Sequence, residues 1–220
     1  MKKFIKNWLL GVGAGVCISL GTVTYLLISN KLLGAFVFAF GLFLVCTYKL
    51  KLCTGMAGYL FSKFSTEGFV AATIGNVNGI SLMYWLFSCW NPEVKSVSYE
   101  LFTSKMNLMP HQFFISAMLC GMLMFLAVDI YKYGPEESMM HRLFGLFLAV
   151  PCFVLNGFDH CIVTIFYINS ATSIEEAAIG LQIFSTVMIG NFIGAMLAYL
   201  LFNKVNYWRI KNDSNQRKRF

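Results

Sequence analysis

Two stretches of this chain set polar, reactive side chains into apolar surroundings. In Asn156-Gly157-Phe158-Asp159-His160 a carboxylate directly precedes an imidazole, and the apolar run then resumes as Cys161–Ile168. An imidazole titrates near neutrality, so it can exchange protons or donate a hydrogen bond. An ionisable pair inside hydrocarbon is costly enough to demand a function or a partner. The second stretch is Lys49-Leu50-Lys51-Leu52-Cys53-Thr54-Gly55, after which a short apolar piece, Met56–Phe61, follows. Lys49 reads as a snorkelling residue at a helix end, its stem in apolar surroundings and its ammonium in water; for Lys51 that reading stands beside a functional one. His160-Cys161 resembles half a metal site, but nothing else supplies ligands at zinc-like spacing, so neither metal nor cofactor is expected. His111 and His141 lie near segment ends and read as interfacial residues.

The elements that must position these residues follow from composition. The 220 residues are 58% hydrophobic and only 12% charged, with a mean hydropathy of +0.66. Soluble domains carry about 25% charged residues, so half that density leaves too little polar surface for water. Six uncharged runs stand out: Trp8–Asn30, Leu32–Tyr48, Gly68–Pro92, Met106–Val128, Leu143–Phe158 and Ala177–Asn203. A bilayer core is crossed by about 20 helical residues, and within it every backbone group must be satisfied inside its own segment. The alternation of barrel strands is absent. The expected fold is an all-α membrane protein of six transmembrane helices. Its single transmembrane domain covers residues 1–203, with halves of about 8–92 and 106–203, and a basic tail covers 204–220.

Charge sets the orientation. With the N-terminus inside, the cytoplasmic side holds Lys2, Lys3, Lys6, Lys63, Lys132, Arg142, Lys204, Arg209, Lys211, Arg217, Lys218 and Arg219. The outside holds Lys31, Lys95 and Lys105. Twelve against three places both termini in the cytoplasm of a multi-pass cell-membrane protein. The net charge of +7 is thus a topology signal with anionic lipid as neighbour, and nucleic acid is not an expected partner. Trp8–Asn30 is long enough to span and no small-residue cleavage site follows it, so it reads as a first helix and not as a removed signal. The seven cysteines sit almost wholly in apolar runs with no C-x-x-C pair, as small buried hydrophobes. Trp8, Trp90, Tyr131, Tyr207 and Trp208 fall at segment ends, consistent with an interfacial belt.

The third and sixth runs share a pattern, Gly75-Asn76-Val77-Asn78-Gly79 and Gly190-Asn191-Phe192-Ile193-Gly194. Glycines at this spacing let helices approach closely, and packing alone accounts for them. Their repetition in two halves of three spans each also suits inverted repeats, whose working site is built from discontinuous helices. As one helix Leu32–Phe61 would be about 45 Å long, too long for one crossing, so a break in the second span is expected. Asn156–His160 marks a matching break in the fifth.

These residues resemble the formate/nitrite transporter family, pentameric channels of aquaporin-like protomer fold. The likeness rests on Gly157–His160, on Leu52, Thr54 and Gly55, and on both GN-x-x-G helices. Further support comes from Gly11, Gly13, Gly15 and Gly21, from Leu32–Ala35, and from Lys105 ahead of the run that ends Cys120…Leu126-Ala127-Val128. The resemblance implies a homopentamer in which Thr54 and His160 line the pore centre and Lys105 adds positive charge near it. It places apolar constrictions at Phe38, Leu42, Leu52 and Phe153. Departures fall at Lys51, where an acid is usual, at Cys53 for Phe, at Thr164 for Asn, and at Asp159 for Glu.

A bare anion pays a large desolvation cost in such a constriction. Half-helix N-termini, Lys105 with Lys51, and the Thr54 hydroxyl would offset it. A neighbouring anion favours a protonated histidine, so His160 would hand a proton to the anion and let the neutral acid cross the apolar rings. Passage of the anion itself past a static His160 is the variant. Asp159 needs a partner, either Lys105 or backbone amides. The expected substrates are formate, nitrite or hydrosulfide, with proton-coupled lactate-like monocarboxylate export as the alternative. A membrane-embedded enzyme would gather more polar residues at one depth of several helices, and a mere scaffold would leave Asp159 and His160 unexplained.

Overall fold

The computed structural model describes residues 1–60, 66–133 and 139–204, with backbone only at 203 and 204. Expectations for Phe61, for Lys63, for the side chain of Lys204 and for the basic tail, including Tyr207 and Trp208, lie outside the described residues. Among the described residues every regular element is helical. There are nine α-helices: α1 Lys2–Leu27, α2 Lys31–Thr47, α3 Cys53–Ala57, α4 Thr66–Trp90, α5 Pro92–Met106, α6 Pro110–Tyr133, α7 Met139–Leu155, α8 Cys161–Ile168 and α9 Ile174–Ala198. A π-helical turn, Tyr199–Lys204, prolongs α9. Four helices are long and apolar enough to cross a membrane, namely α1, α4, α6 and Ile174–Phe202. The apolar α2 and α7 are shorter.

Local sequence sets several boundaries. Asn30 caps α2 by accepting from the Leu33 amide, and Asn91 caps α5, with Pro92 opening that helix, where a missing N–H costs nothing. Ser173 caps α9 through the Glu176 amide, with Glu175 and Glu176 in the first turn, as a helix N-terminus favours. The 15-residue helix α5 was not among the six apolar runs. It carries Glu93, Lys95, Glu100 and Lys105 and delivers Lys105 in its last turn.

The long helices pair as α1 with α4 and α6 with α9, while α2 packs on α1 and on α7. Glycines make the two close pairings possible. A side chain at Gly15 would meet the backbone of Gly79 and Ile80, and one at Gly190 would meet Phe114 and Ala117. The short helices sit between these pairs. Helix α3 packs on α6 and α9, and α8 packs on α9, α4 and α5. The core runs through this centre, with Phe125, Phe166, Ile162 and Leu42 fully buried.

Candidate functional site

Two turns of the same construction lead into α3 and α8. After α2, Lys49 turns to a left-handed backbone (φ 53), the Lys49 amide bonds to the Cys46 carbonyl and the Leu50 amide to that of Val45. After α7, Gly157 takes φ 68, its amide bonds to the Val154 carbonyl and the Phe158 amide to that of Phe153. Each is a Schellman ending. Three residues on, Leu52 (φ −96, ψ 122) and His160 (φ −100, ψ 119) stand as N-caps of α3 and α8. Lys49 thus matches Gly157, Lys51 matches Asp159, Leu52 matches His160 and Cys53 matches Cys161.

The asparagines of the GN-x-x-G helices hold both turns. The Asn76 amide donates to the carbonyls of Gly11 (2.9 Å) and Lys51 (2.7 Å), and its oxygen accepts from the Cys53 amide (2.8 Å). Asn191 donates to Ala117 (2.7 Å) and Asp159 (2.8 Å) and accepts from Cys161 (2.8 Å). Both side chains are fully buried, so each satisfies backbone groups that the missing helical turn would otherwise leave bare. Glycine packing was legible in these motifs, but the asparagine function was not. The signal available was a polar residue at the same place in each of two glycine pairs.

His160 is 4% exposed and Asp159 5%. The Val163 N–H donates to His160 Nδ1 at 3.4 Å, so that nitrogen accepts, and a neutral ring carries its hydrogen on Nε2. There Thr54 Oγ1, 3.0 Å away, takes the hydrogen bond. Phe153 stacks on the imidazole with centroids 6.2 Å apart, and its own edge-to-face partner, at 6.0 Å, is Phe38. Lys105 Nζ donates to Asp159 Oδ1 in an ion pair, and Ser116 Oγ donates to Oδ2. Of the two partners open to Asp159, the carboxylate therefore takes Lys105. Ser116 was missed, being a small hydroxyl inside an apolar run.

A cavity of about 120 Å³ is lined by Lys105, Asp159, His160, Phe38, Phe153 and Thr164, with Tyr25 and Tyr167 at its walls. The structure thus gathers five of the sequence-derived site residues in one cavity and ties Thr54 to them through His160. Leu42, Leu52, Cys53 and Lys51 do not line it. The first three are buried. Lys51 is half-buried and its ammonium donates to Asn7 Oδ1. Cys53 and Cys161 open α3 and α8. Among the described residues no group of three metal-ligating side chains is present.

Fold and site define a helical membrane protein built round a small charged cavity under two aromatic rings. The chain belongs to the formate/nitrite transporter family, whose model matches residues 1–205. It is a membrane transport protein for small anions. Among solved structures it is similar to a pentameric formate channel with formate bound, at 23% identity and a TM-score of 0.74 over 96% of this chain and 98% of that one. It is also similar to an FNT family ion channel, at 17% identity and a TM-score of 0.70 over 94% and 89%. No curated protein sequence matches it.

Proposed function

We propose that the chain is a homopentameric channel for small monovalent weak-acid anions, each protomer holding its own pore. In this reading α2 with α3, and α7 with α8, are interrupted second and fifth spans, so that six spans form two inverted halves in one domain, 1–203. Both termini face the cytoplasm, and lipid surrounds the assembly. The matched turns at Lys49 and Gly157, with their matched asparagines, support the two halves. The printed description of the neighbouring structure, a pentameric channel with formate bound, supports assembly and substrate class.

The observation that carries the reading is the polar centre beneath Phe38 and Phe153. Lys105 draws an anion into the cavity, and its pairing with Asp159 keeps the local charge from trapping the ion. With Nε2–H of His160 given to Thr54, the threonine hydroxyl keeps its own hydrogen to offer an anion. Phe38 and Phe153 form one apolar constriction, Leu42 and Leu52 the other. An anion strips off its water poorly at such rings, so a proton passed through His160 turns the anion into its neutral acid, which crosses. In that step a proton from the vestibule water adds to Nδ1 in place of the Val163 N–H, and Nε2 gives its proton to the anion in place of Thr54, leaving the ring neutral.

Stopped-flow uptake into proteoliposomes, with formate, nitrite, hydrosulfide and lactate side by side and empty liposomes subtracted, tests the assignment. Fast uptake of the first three and slow uptake of lactate is expected. Lactate as the fastest substrate would transfer the assignment to monocarboxylate export, and no uptake of any would remove the channel reading.

A further inference from the structure

Two polar side chains of the cavity take no part in the permeation described above, Tyr25 of α1 and Tyr167 of α8. Tyr167 is 8% exposed and Tyr25 is half-buried. Among the described residues, neither phenol hydroxyl has a hydrogen-bond partner. The unpartnered side-chain oxygens sealed from solvent belong instead to Tyr84, Ser88 and Ser98, so the two cavity hydroxyls reach accessible space. A buried tyrosine ordinarily finds a partner for its O–H. Here the space they share has about 120 Å³, and a single water needs only about 10–15 Å³, so a small anion fits.

The other polar groups of the cavity are already committed. Thr164 Oγ1 donates to the His160 carbonyl at 3.1 Å, Nε2–H of His160 goes to Thr54, and the Asp159 carboxylate only accepts. Lys105 spends one N–H on Asp159, which also balances its charge. An anion that gives up water beside a balanced pair needs neutral donors to replace that water. Lys31 at the start of α2 reinforces one of them. Its ammonium lies 5.0 Å from the centroid of the Tyr25 ring, held by the Tyr25 and Leu26 carbonyls, and a cation on the ring face makes the phenol a stronger donor.

We propose that Tyr25 and Tyr167 are specificity-determining residues, whose hydroxyls together hold a two-oxygen anion in the cavity before it reaches the Phe38–Phe153 constriction. This rests on the channel reading above and deepens it by ranking the substrates. Formate and nitrite each present two oxygens, enough for both phenols and for the spare N–H groups of Lys105. Hydrosulfide presents one sulfur, a poorer acceptor, and gains little from the pair. The tyrosines set how tightly an oxyanion is held, and His160 sets its passage.

The test is initial uptake against concentration, for formate, nitrite and hydrosulfide in turn, with the full-length protein in proteoliposomes. Wild type is compared with Tyr25→Phe, Tyr167→Phe, the double variant, and Tyr48→Phe, an exposed tyrosine outside the cavity. Size-exclusion profile and thermal midpoint report folding. A hydrogen bond to a charged group is among the stronger ones, so each cavity variant raises half-saturating formate and nitrite about fivefold, and the double variant raises them further. Half-saturating hydrosulfide changes less than about twofold, and Tyr48→Phe matches wild type throughout. The ratio of formate to hydrosulfide is the reading that a merely loosened fold would leave unmoved. Should the double variant fail to fold, the single variants decide. Folded single variants with wild-type half-saturation for formate and nitrite would overturn the proposal, as would an equal rise for all three anions or a rise at one tyrosine alone. A wild type that carries none of the three would overturn the channel reading itself, and this assignment with it.

Discussion

Replacing Asn191 by Ala removes three hydrogen bonds at once, to the Ala117 and Asp159 carbonyls and from the Cys161 amide. Two of the backbone partners, the Asp159 carbonyl and the Cys161 amide, gain no replacement, because the site is fully buried and they lie at the turn before α8, outside any helical ladder. Individual polar contacts between membrane helices average about 0.6 kcal/mol, and a buried group left bare costs about 1 kcal/mol or more. Three together give about 2–3 kcal/mol. For a domain of this size that lowers the thermal midpoint by about 5–10 °C. Asn76→Ala lowers it by a similar amount, since it makes the matching three bonds. Asn156→Ala removes one exposed side-chain bond to the Cys152 carbonyl and shifts it by about 1 °C or less. Fluorescence-detected thermal unfolding of the detergent-solubilised protein reads all three. Midpoints for Asn191→Ala and Asn76→Ala no lower than that of Asn156→Ala would refute the claim that these amides hold the two turns.

Lys105→Met leaves the Asp159 carboxylate buried with Ser116 as its remaining side-chain donor, which costs about 3 kcal/mol; adding Asp159→Asn restores most of it, as a double-mutant thermal cycle shows. Lys49→Gly relieves an L-residue of its left-handed backbone (φ 53) and stabilises by about 1 kcal/mol, seen as a raised midpoint with unchanged uptake. Phe153→Ala opens the ring pair with Phe38 and the stack on His160, costs about 3 kcal/mol, and admits lactate at a rate closer to that of formate in the same uptake assay.

Much of this was legible from residue types because hydrocarbon penalises polarity. Asp159 and His160 stood out for that reason, and Lys105 was named as a partner for the carboxylate. The freedom of Gly157 pointed to a turn there, and the backbone takes φ 68 at that residue. The glycines of the GN-x-x-G motifs announced close packing by their spacing. What stayed hidden depends on contacts distant along the chain. Asn76 and Asn191 act on backbone atoms of Lys51, Cys53, Asp159 and Cys161, and a backbone carbonyl leaves no trace in a sequence. Helix α5 escaped because its charges interrupt the apolar pattern. The turn at Lys49 lacks the glycine that marks its counterpart, so its left-handed backbone could not be read.

The central proposal, a pore in which His160 relays a proton to a weak-acid anion, is tested most directly by formate uptake measured against pH for wild type and His160→Asn. An asparagine can still donate to Thr54 Oγ1 but cannot take up and release a proton near neutrality. Wild-type uptake is expected to rise as the medium is acidified, with the mutant both slower and flat across the same range once diffusion through empty liposomes is subtracted. A mutant that keeps the wild-type rate and the wild-type slope would contradict it.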